Sequence, residues 1–388
     1  MDLKILDALR DRLRTRPVLQ NPSREIPALG PDVAKTIHDA LTAAGLMRNG
    51  PVVHQRDASA RAATIPQLAV PRWEPARPLA APGDQHVLEP GAFLSCVFTD
   101  GPASLEYKLY VPSTYASTAH EVPLIVMLHG CTQSPDDFAA GTRMNQLAED
   151  HGFLVAYPAQ AQRANGSRCW NWFRPGDQRR DEGEPALIAG VTREIAGAYR
   201  IDQGRVFVAG LSAGAAMAVI LGTTYPDIYA AVGAHSGLAY GMAHDVPSAF
   251  QVMRDASGGQ SNAHFRSRAN PRATGVTIPL ILFHGDCDST VDSRNGAALV
   301  AQTLSAFAAG SIVPTSTTET TMARGLTSTR TIYSLGNKPI VEDWRLHGAQ
   351  HAWSGGSSAG SYTEPNGPDA SGEMVRFFLA CSRHDEGS

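Results

Sequence analysis

Cysteine is scarce, charge is thin and long apolar runs are missing, and each shortage excludes something. Five cysteines in 388 residues are too few for a disulfide framework, and no CxxC pair suggests a zinc site. Their odd number leaves at least one thiol unpaired. Charged residues make up 18%, below the ~25% usual in globular chains. Lys and Arg (33) do not outnumber Asp and Glu (37), so the net charge is −4. With no basic excess to neutralise phosphates, nucleic-acid binding is not expected. The longest apolar runs, such as Val122–Leu128, fall far short of the ~20 residues that span a bilayer, so no membrane helix is expected. No metal-ligating cluster, GxGxxG or GxxxxGKS/T is visible, so neither metal nor cofactor is expected.

The first sixteen residues carry Asp2, Lys4, Asp7, Arg10, Asp11, Arg12, Arg14 and Arg16. That charge interrupts any apolar signal-peptide core. A cytoplasmic location is therefore expected, with an extracellular one the alternative if a leader has been removed. Leu3, Leu6, Leu9 and Leu13 recur at helical spacing, and Val33, Ile37, Leu41 and Ala44 do the same between Pro31 and Gly45. Two short amphipathic helices are predicted within residues 1–50, and neither buries its face alone. Residues 51–90 hold seven prolines and read as an extended linker. The extension is expected to cap the main domain; dimerisation and surface docking are the alternative roles.

From about residue 91 to 383 strand and helix patterns alternate. Leu105–Val111 alternates as a half-exposed strand. Val122–Leu128 (VPLIVML) is apolar throughout, as is a strand buried on both faces of a parallel sheet. Further strands are predicted at Phe153–Tyr157, Arg205–Ala209, Tyr229–Ala234, Leu280–Phe283, Arg330–Tyr333 and Ile340–Leu346. Helices are predicted near 143–150, 186–199, 213–221, 297–307 and 372–381. Residues 159–183 form a polar loop too long to be an idle connection, and 236–278 read as an irregular insertion. Repeated βα units mean a mostly parallel α/β sheet flanked by helices.

The chemistry is concentrated after those strands. Gly210-Leu211-Ser212-Ala213-Gly214 is a G-x-S-x-G in which an apolar strand turns sharply into a small-residue helix. The turn needs small flanking residues and projects the serine hydroxyl outward. Gly356-Ser357-Ser358-Ala359-Gly360 fits the same pattern with no strand before it and reads as loop. A nucleophilic serine needs a base, and the base needs a carboxylate, in the order Ser, acid, His along such chains. Strand 280–283 leads into His284-Gly285-Asp286-Cys287-Asp288; Asp288 is the preferred acid and Asp286 the alternative. Strand 340–346 leads into His347-Gly348-Ala349-Gln350-His351, with His351 preferred as base and His347 as structural. The oxyanion hole needs two backbone donors: the N–H of Ala213 and, from the His129–Gln133 loop where Gly130 lets the chain turn tightly, the N–H of Cys131. Gln133, Trp170, Asn171, Trp172 and Trp353 are the candidate substrate-binding residues, since aromatics near such a serine suit a repeating ester or an aromatic acyl group. Trp170 and Phe173 equally suit buried anchors of their loop.

The segments LHGCTQSPDDFAAGTRMNQLAE, FLVAYPAQ, CWNWF, GLSAGAAMA, HGDCDSTV and HAWSGG resemble the polyhydroxybutyrate depolymerase-type esterases, relatives of feruloyl and acetylxylan esterases. The resemblance runs from about Gly91 to Arg383. It implies an α/β-hydrolase fold, with Ser212 as nucleophile, Asp288 as acid, His351 as base and Cys131 in the oxyanion hole, and it suggests a Cys131–Cys169 pair. The expected activity is hydrolysis of poly- or oligo-3-hydroxyalkanoate esters. The alternatives are a feruloyl, acetylxylan or aromatic-polyester esterase, a peptidase on fold grounds alone and, from another class, a non-catalytic protein coating polymer granules.

Overall fold

The computed structural model describes residues 91–256, 278–307, 314–323 and 325–383. The expected N-terminal helices, the 51–90 linker and the proposed dimerisation arm lie outside these residues. The frame is a ten-stranded sheet in the order β1-β2-β4-β3-β5-β6-β7-β10-β9-β8. Its strands are β1 (Ala92–Asp100), β2 (Ala103–Val111), β3 (Val122–Leu128), β4 (Leu154–Pro158), β5 (Ile201–Leu211), β6 (Ala231–His235), β7 (Leu280–Gly285), β8 (Thr315–Ala323), β9 (Leu326–Leu335) and β10 (Lys338–Leu346). The six strands β4, β3, β5, β6, β7 and β10 run parallel. Antiparallel partners extend the sheet at both edges.

Every residue of β3, β4, β6 and β7 is buried, as their unbroken apolar runs require once helices cover both faces. Among the described helices, α1 (Pro135–Thr142), α2 (Met144–His151), α3 (Gly183–Ala198), α4 (Ala213–Thr224), α5 (Val246–Asp255), α6 (Arg294–Phe307) and α7 (Ala370–Leu379) flank or border the sheet. Helix α4 (AGAAMAVILGTT) is buried nearly all round, and its run of alanines lets it sit close to the strands. Phe378 of α7 stacks on Phe207 of β5 at 4.9 Å, and Phe283 of β7 stacks on Trp344 of β10 at 5.3 Å. These pairs fasten strands to helix and strand to strand.

Local signals start the helices where they occur. Ser134 caps α1 by accepting from the Asp137 N–H, with Pro135 next and Asp136 and Asp137 in the first turn. Asp245 and Ser248 make a reciprocal capping box on α5. Helix α5 lies inside the stretch expected to be irregular, which this cap corrects. Strands β1 and β8 were also not foreseen from apolar periodicity. β8 (TSTTETTMA) has almost no apolar residue to alternate. It is built instead from β-branched threonines, whose hydroxyls pair across to β9 at Thr318–Thr331 and Thr320–Thr329. Among the described residues no helix is long and apolar enough to cross a membrane.

The parallel register fixes where the site falls. Leu211 of β5 lies beside His235 of β6, which lies beside Phe283 of β7, which lies beside Trp344 of β10. The loops that follow these four strands therefore leave the sheet at one edge, the carboxyl end where open α/β sheets build their sites.

Candidate active site

Ser212 is the first residue beyond β5. Its backbone stands at φ 59°, ψ −119°, a conformation that L-residues adopt only under constraint. The constraint is steric and hydrogen-bonded. A Cβ on Gly210 would collide with the backbone of Gly214, and one on Gly214 would collide with the Leu128 carbonyl oxygen. The Ser212 N–H donates to His235 O at 2.9 Å, and Ser212 O accepts from the Ala216 N–H at 3.0 Å. The two glycines of the motif are thus required by the approach of three backbone segments. Ser358 of the second G-x-S-x-G is an exposed turn residue, as expected.

Two strands away, the loop after β7 brings Asp288 to the loop after β10. His351 Nδ1 lies 2.7 Å from Asp288 Oδ2, and the two side chains are 6% and 0% exposed. Asp288 Oδ1 accepts from the N–H groups of Thr290 and Val291 at 2.9 and 2.8 Å. Burial alone would push this carboxyl upward, but the facing His351, the nearby His284 and the Val291 N–H pull it down to about 2. Asp288 is therefore ionised and accepting, which makes His351 Nδ1 the donor and leaves Nε2 as the ring nitrogen turned away from the carboxylate.

Asp286 and His347, the residues set aside in choosing acid and base, pair with each other: His347 Nδ1 lies 2.9 Å from Asp286 Oδ2. Three further histidines surround the site, and none has the form of a base. His235 is fully buried between the rings of Phe283 and Trp353 and accepts the Ser354 N–H on Nε2 at 3.0 Å. Burial, reinforced by His284 and His351, lowers it to about 3. His129 is lowered by burial to about 4 and bridges Gly130 O and the Gln160 N–H through its two nitrogens. His284 is lowered by burial as well, with Nε2 2.8 Å from Val291 O and 3.6 Å from Asp288 Oδ2.

The loop after β3 carries Cys131, bonded to Cys169. The bond joins the loop to the 159–183 segment, and the Thr132 N–H reinforces the junction by donating to Ser167 O at 2.7 Å. The pairing suggested by the family resemblance is present. The turn is made with Thr132 in the left-handed region (φ 68°) rather than at Gly130, whose φ is not positive. The N–H of Ala213 is the first of α4, where no partner exists within the helix.

The candidate substrate-binding side chains lie beneath the protein surface. Gln133, Trp170, Asn171, Trp172 and Trp353 are all buried, and the polar groups of four of them are engaged within the protein. Gln133 Oε1 accepts from the Gly130 N–H at 2.9 Å, while Nε2 donates to Asp137 Oδ2 at 3.0 Å and Ser361 O at 3.1 Å. Trp170 Nε1 donates to His129 O at 3.1 Å, and Trp353 Nε1 donates to Ser371 Oγ at 3.0 Å. Asn171 gives its N–H and Nδ2 to Glu184. Trp172 packs edge-on to Phe173 at 5.8 Å. Buried polar groups take whatever partners satisfy them, and here those partners belong to the protein's own loops and helices. Glu184 is the residue that sequence reasoning missed in this cluster. Burial, with Asp177 nearby, raises it to about 7, and no local motif marks it. Among the described residues no group of His, Cys, Asp and Glu could hold a metal ion.

A mostly parallel sheet with a strained serine after β5 and an Asp–His pair across β7 and β10 defines the α/β-hydrolase class. Within that class the chain belongs to the Esterase PHB depolymerase family, which matches residues 105–327. It is 35% identical over 201 residues to poly(3-hydroxyalkanoate) depolymerase C of Paucimonas lemoignei, covering 51% of this chain and 47% of that protein. It is 30% identical over 208 residues to acetylxylan esterase A of Aspergillus oryzae, covering 51% and 65%. The chain thus spans about half to two thirds of the length of these relatives. Among solved structures, an acetyl xylan esterase from Aspergillus awamori overlays with a TM-score of 0.59 at 20% identity, over 75% of this chain and 100% of that one. That likeness concerns the fold.

Proposed function

We propose that the protein is a serine carboxylester hydrolase acting on poly- or oligo-3-hydroxyalkanoate esters, with Ser212 as nucleophile, His351 as base and Asp288 as acid. The 2.7 Å Asp288–His351 hydrogen bond at the sheet edge where the Ser212 elbow emerges carries the mechanism. Ser212 Oγ attacks the ester carbonyl carbon while His351 Nε2 takes the hydroxyl proton. The new oxyanion is stabilised by the N–H groups of Cys131 and Ala213. Collapse breaks the ester C–O bond, and His351 returns the proton to the departing alkoxide, leaving an acyl-Ser212. Water then attacks the acyl carbon with His351 again as base, releasing the hydroxy acid and restoring Ser212. Asp288, ionised throughout, holds the imidazole in the tautomer that accepts on Nε2.

The hydroxyalkanoate substrate is supported by the 35% identity to a poly(3-hydroxyalkanoate) depolymerase. Relatives at 30–31% named as acetylxylan and feruloyl esterases support a second reading with the same triad and a different acyl pocket. Incubation with amorphous polyhydroxybutyrate, a feruloylated oligosaccharide and acetylated xylan, followed by product analysis, separates the two. Release of 3-hydroxybutyrate and its oligomers is the expected result. Release of ferulate or acetate with the polyester untouched would give the second reading the place of the first.

A further inference from the structure

The acid and base loops are joined twice. The inner joint is Asp288–His351. The outer one lies two residues earlier on the acid loop and four earlier on the base loop. Asp286 uses both carboxylate oxygens: Oδ1 accepts from the Gly348 N–H at 2.7 Å, and Oδ2 faces His347 Nδ1 at 2.9 Å. His347 Nε2 lies 2.8 Å from Thr329 Oγ1, which ties the pair to β9. Backbone bonds run beside these rungs, from the Asp286 N–H to Leu346 O at 3.0 Å and from the Cys287 N–H to Ala349 O at 3.1 Å. The loops approach so closely that a Cβ on Gly285 would strike Ala349 O. Gly348 takes a φ of 76°, turning the base loop so that its N–H meets Asp286.

We propose that Asp286 and His347 are positioning residues: an outer carboxylate–imidazole brace that sets the register of the two loops and so fixes the Asp288–His351 hydrogen bond. This rests on the triad reading given above. The outer side chains are 34% and 37% exposed, and a pair that open to solvent adds little to folding. Their geometric effect is the larger one, because a displacement of about 1 Å at the reacting groups can cost about 10²-fold in rate. With the brace gone, Asp288 keeps its N–H donors from Thr290 and Val291 and the backbone rungs remain, but the base loop loses its side-chain anchors on Asp286 and Thr329.

The experiment compares Asp286→Ala, His347→Ala and His347→Asn in the full chain, with Ser212→Ala as control. Each is measured for kcat and KM on a small aryl ester, for melting temperature, and for the downfield proton resonance of His351 Nδ1–H against Asp288. The two alanine variants should lose about 10- to 100-fold in kcat, with KM and melting temperature nearly unchanged and the resonance broadened. His347→Asn keeps a donor where Nδ1 stood and should recover most of kcat. Full kcat with a sharp resonance in Asp286→Ala overturns the brace, as does a loss in His347→Asn equal to that in His347→Ala. An active Ser212→Ala would instead overturn the triad reading, while the proton resonance still reports on the brace.

Discussion

The proposed nucleophile and the proposed acid–base pair are held in place by opposite means. Ser212 is fixed by atoms that are missing: Gly210 and Gly214 leave room for backbone from three segments to meet where any Cβ would collide. Asp288 and His351, 63 residues apart in sequence, are fixed by groups that are present, namely two backbone donors on one carboxylate oxygen, a ring on the other, and the outer Asp286–His347 pair. A turn made by absence tolerates no addition and fails all at once. A pair of loops made by hydrogen bonds fails by degrees, since each bond contributes separately.

The largest effect should come from the elbow itself. Ser212→Ala is expected to cut ester hydrolysis about 10⁶-fold with an unchanged circular dichroism spectrum, while Ser358→Ala keeps full activity. Appreciable turnover by Ser212→Ala would break the assignment. Next is Asp288→Asn, which keeps the shape but reverses the donor sense at His351 Nδ1. About 10⁴-fold should be lost from kcat, and a loss under tenfold would mean that Asp288 does not set the tautomer. Gly214→Ala tests the steric half. With Leu128 O unable to move aside, the variant should lose more than about 4 kcal/mol of stability and be recovered mostly insoluble. A folded, active Gly214→Ala protein would show that the elbow is not fixed by close approach.

The smallest effect concerns pH and falls on the Ser212 side. His235, whose carbonyl holds the Ser212 N–H, is lowered to about 3, and His129 in the loop after β3 to about 4. The unfolded chain protonates both below about 6.5, where the folded protein does not, so stability falls on acidification by up to about 1.4 kcal/mol per pH unit for each. Glu184, raised to about 7, acts the other way. Its folded form keeps a proton that the unfolded chain releases above about 4.3, which offsets about one histidine between that pH and 7. Asp288, at about 2, contributes stability that is lost only as pH falls below about 3.9 toward 2, outside this window. Urea midpoints should therefore drop from pH 7 to pH 5, and more steeply in Glu184→Gln. Midpoints that rise on acidification would contradict neutral burial of His129 and His235.

What the sequence determined by itself is what depends on neighbours along the chain. The alternation of buried strands and helices was legible in apolar period, and Val122–Leu128 was placed to the residue. The elbow was legible because its steric demand falls on positions two before and two after one serine. That Ser212, Asp288 and His351 each lie just beyond a strand was legible from the apolar runs that precede them. The tertiary structure decided everything that depends on which distant group satisfies a polar atom. Trp170, Asn171 and Trp353 could equally have faced a ligand; they are buried because His129 O, Glu184 and Ser371 Oγ lie within reach. Asp286 and His347 looked like spare candidates for acid and base until the fold made them partners. β8 carries no apolar period because its faces are exposed and its stabilisation comes from hydroxyl pairs with β9. Steric exclusion and periodicity are short-range and leave a pattern in the chain, whereas hydrogen-bond partners are chosen in space, and only the folded molecule brings them within reach.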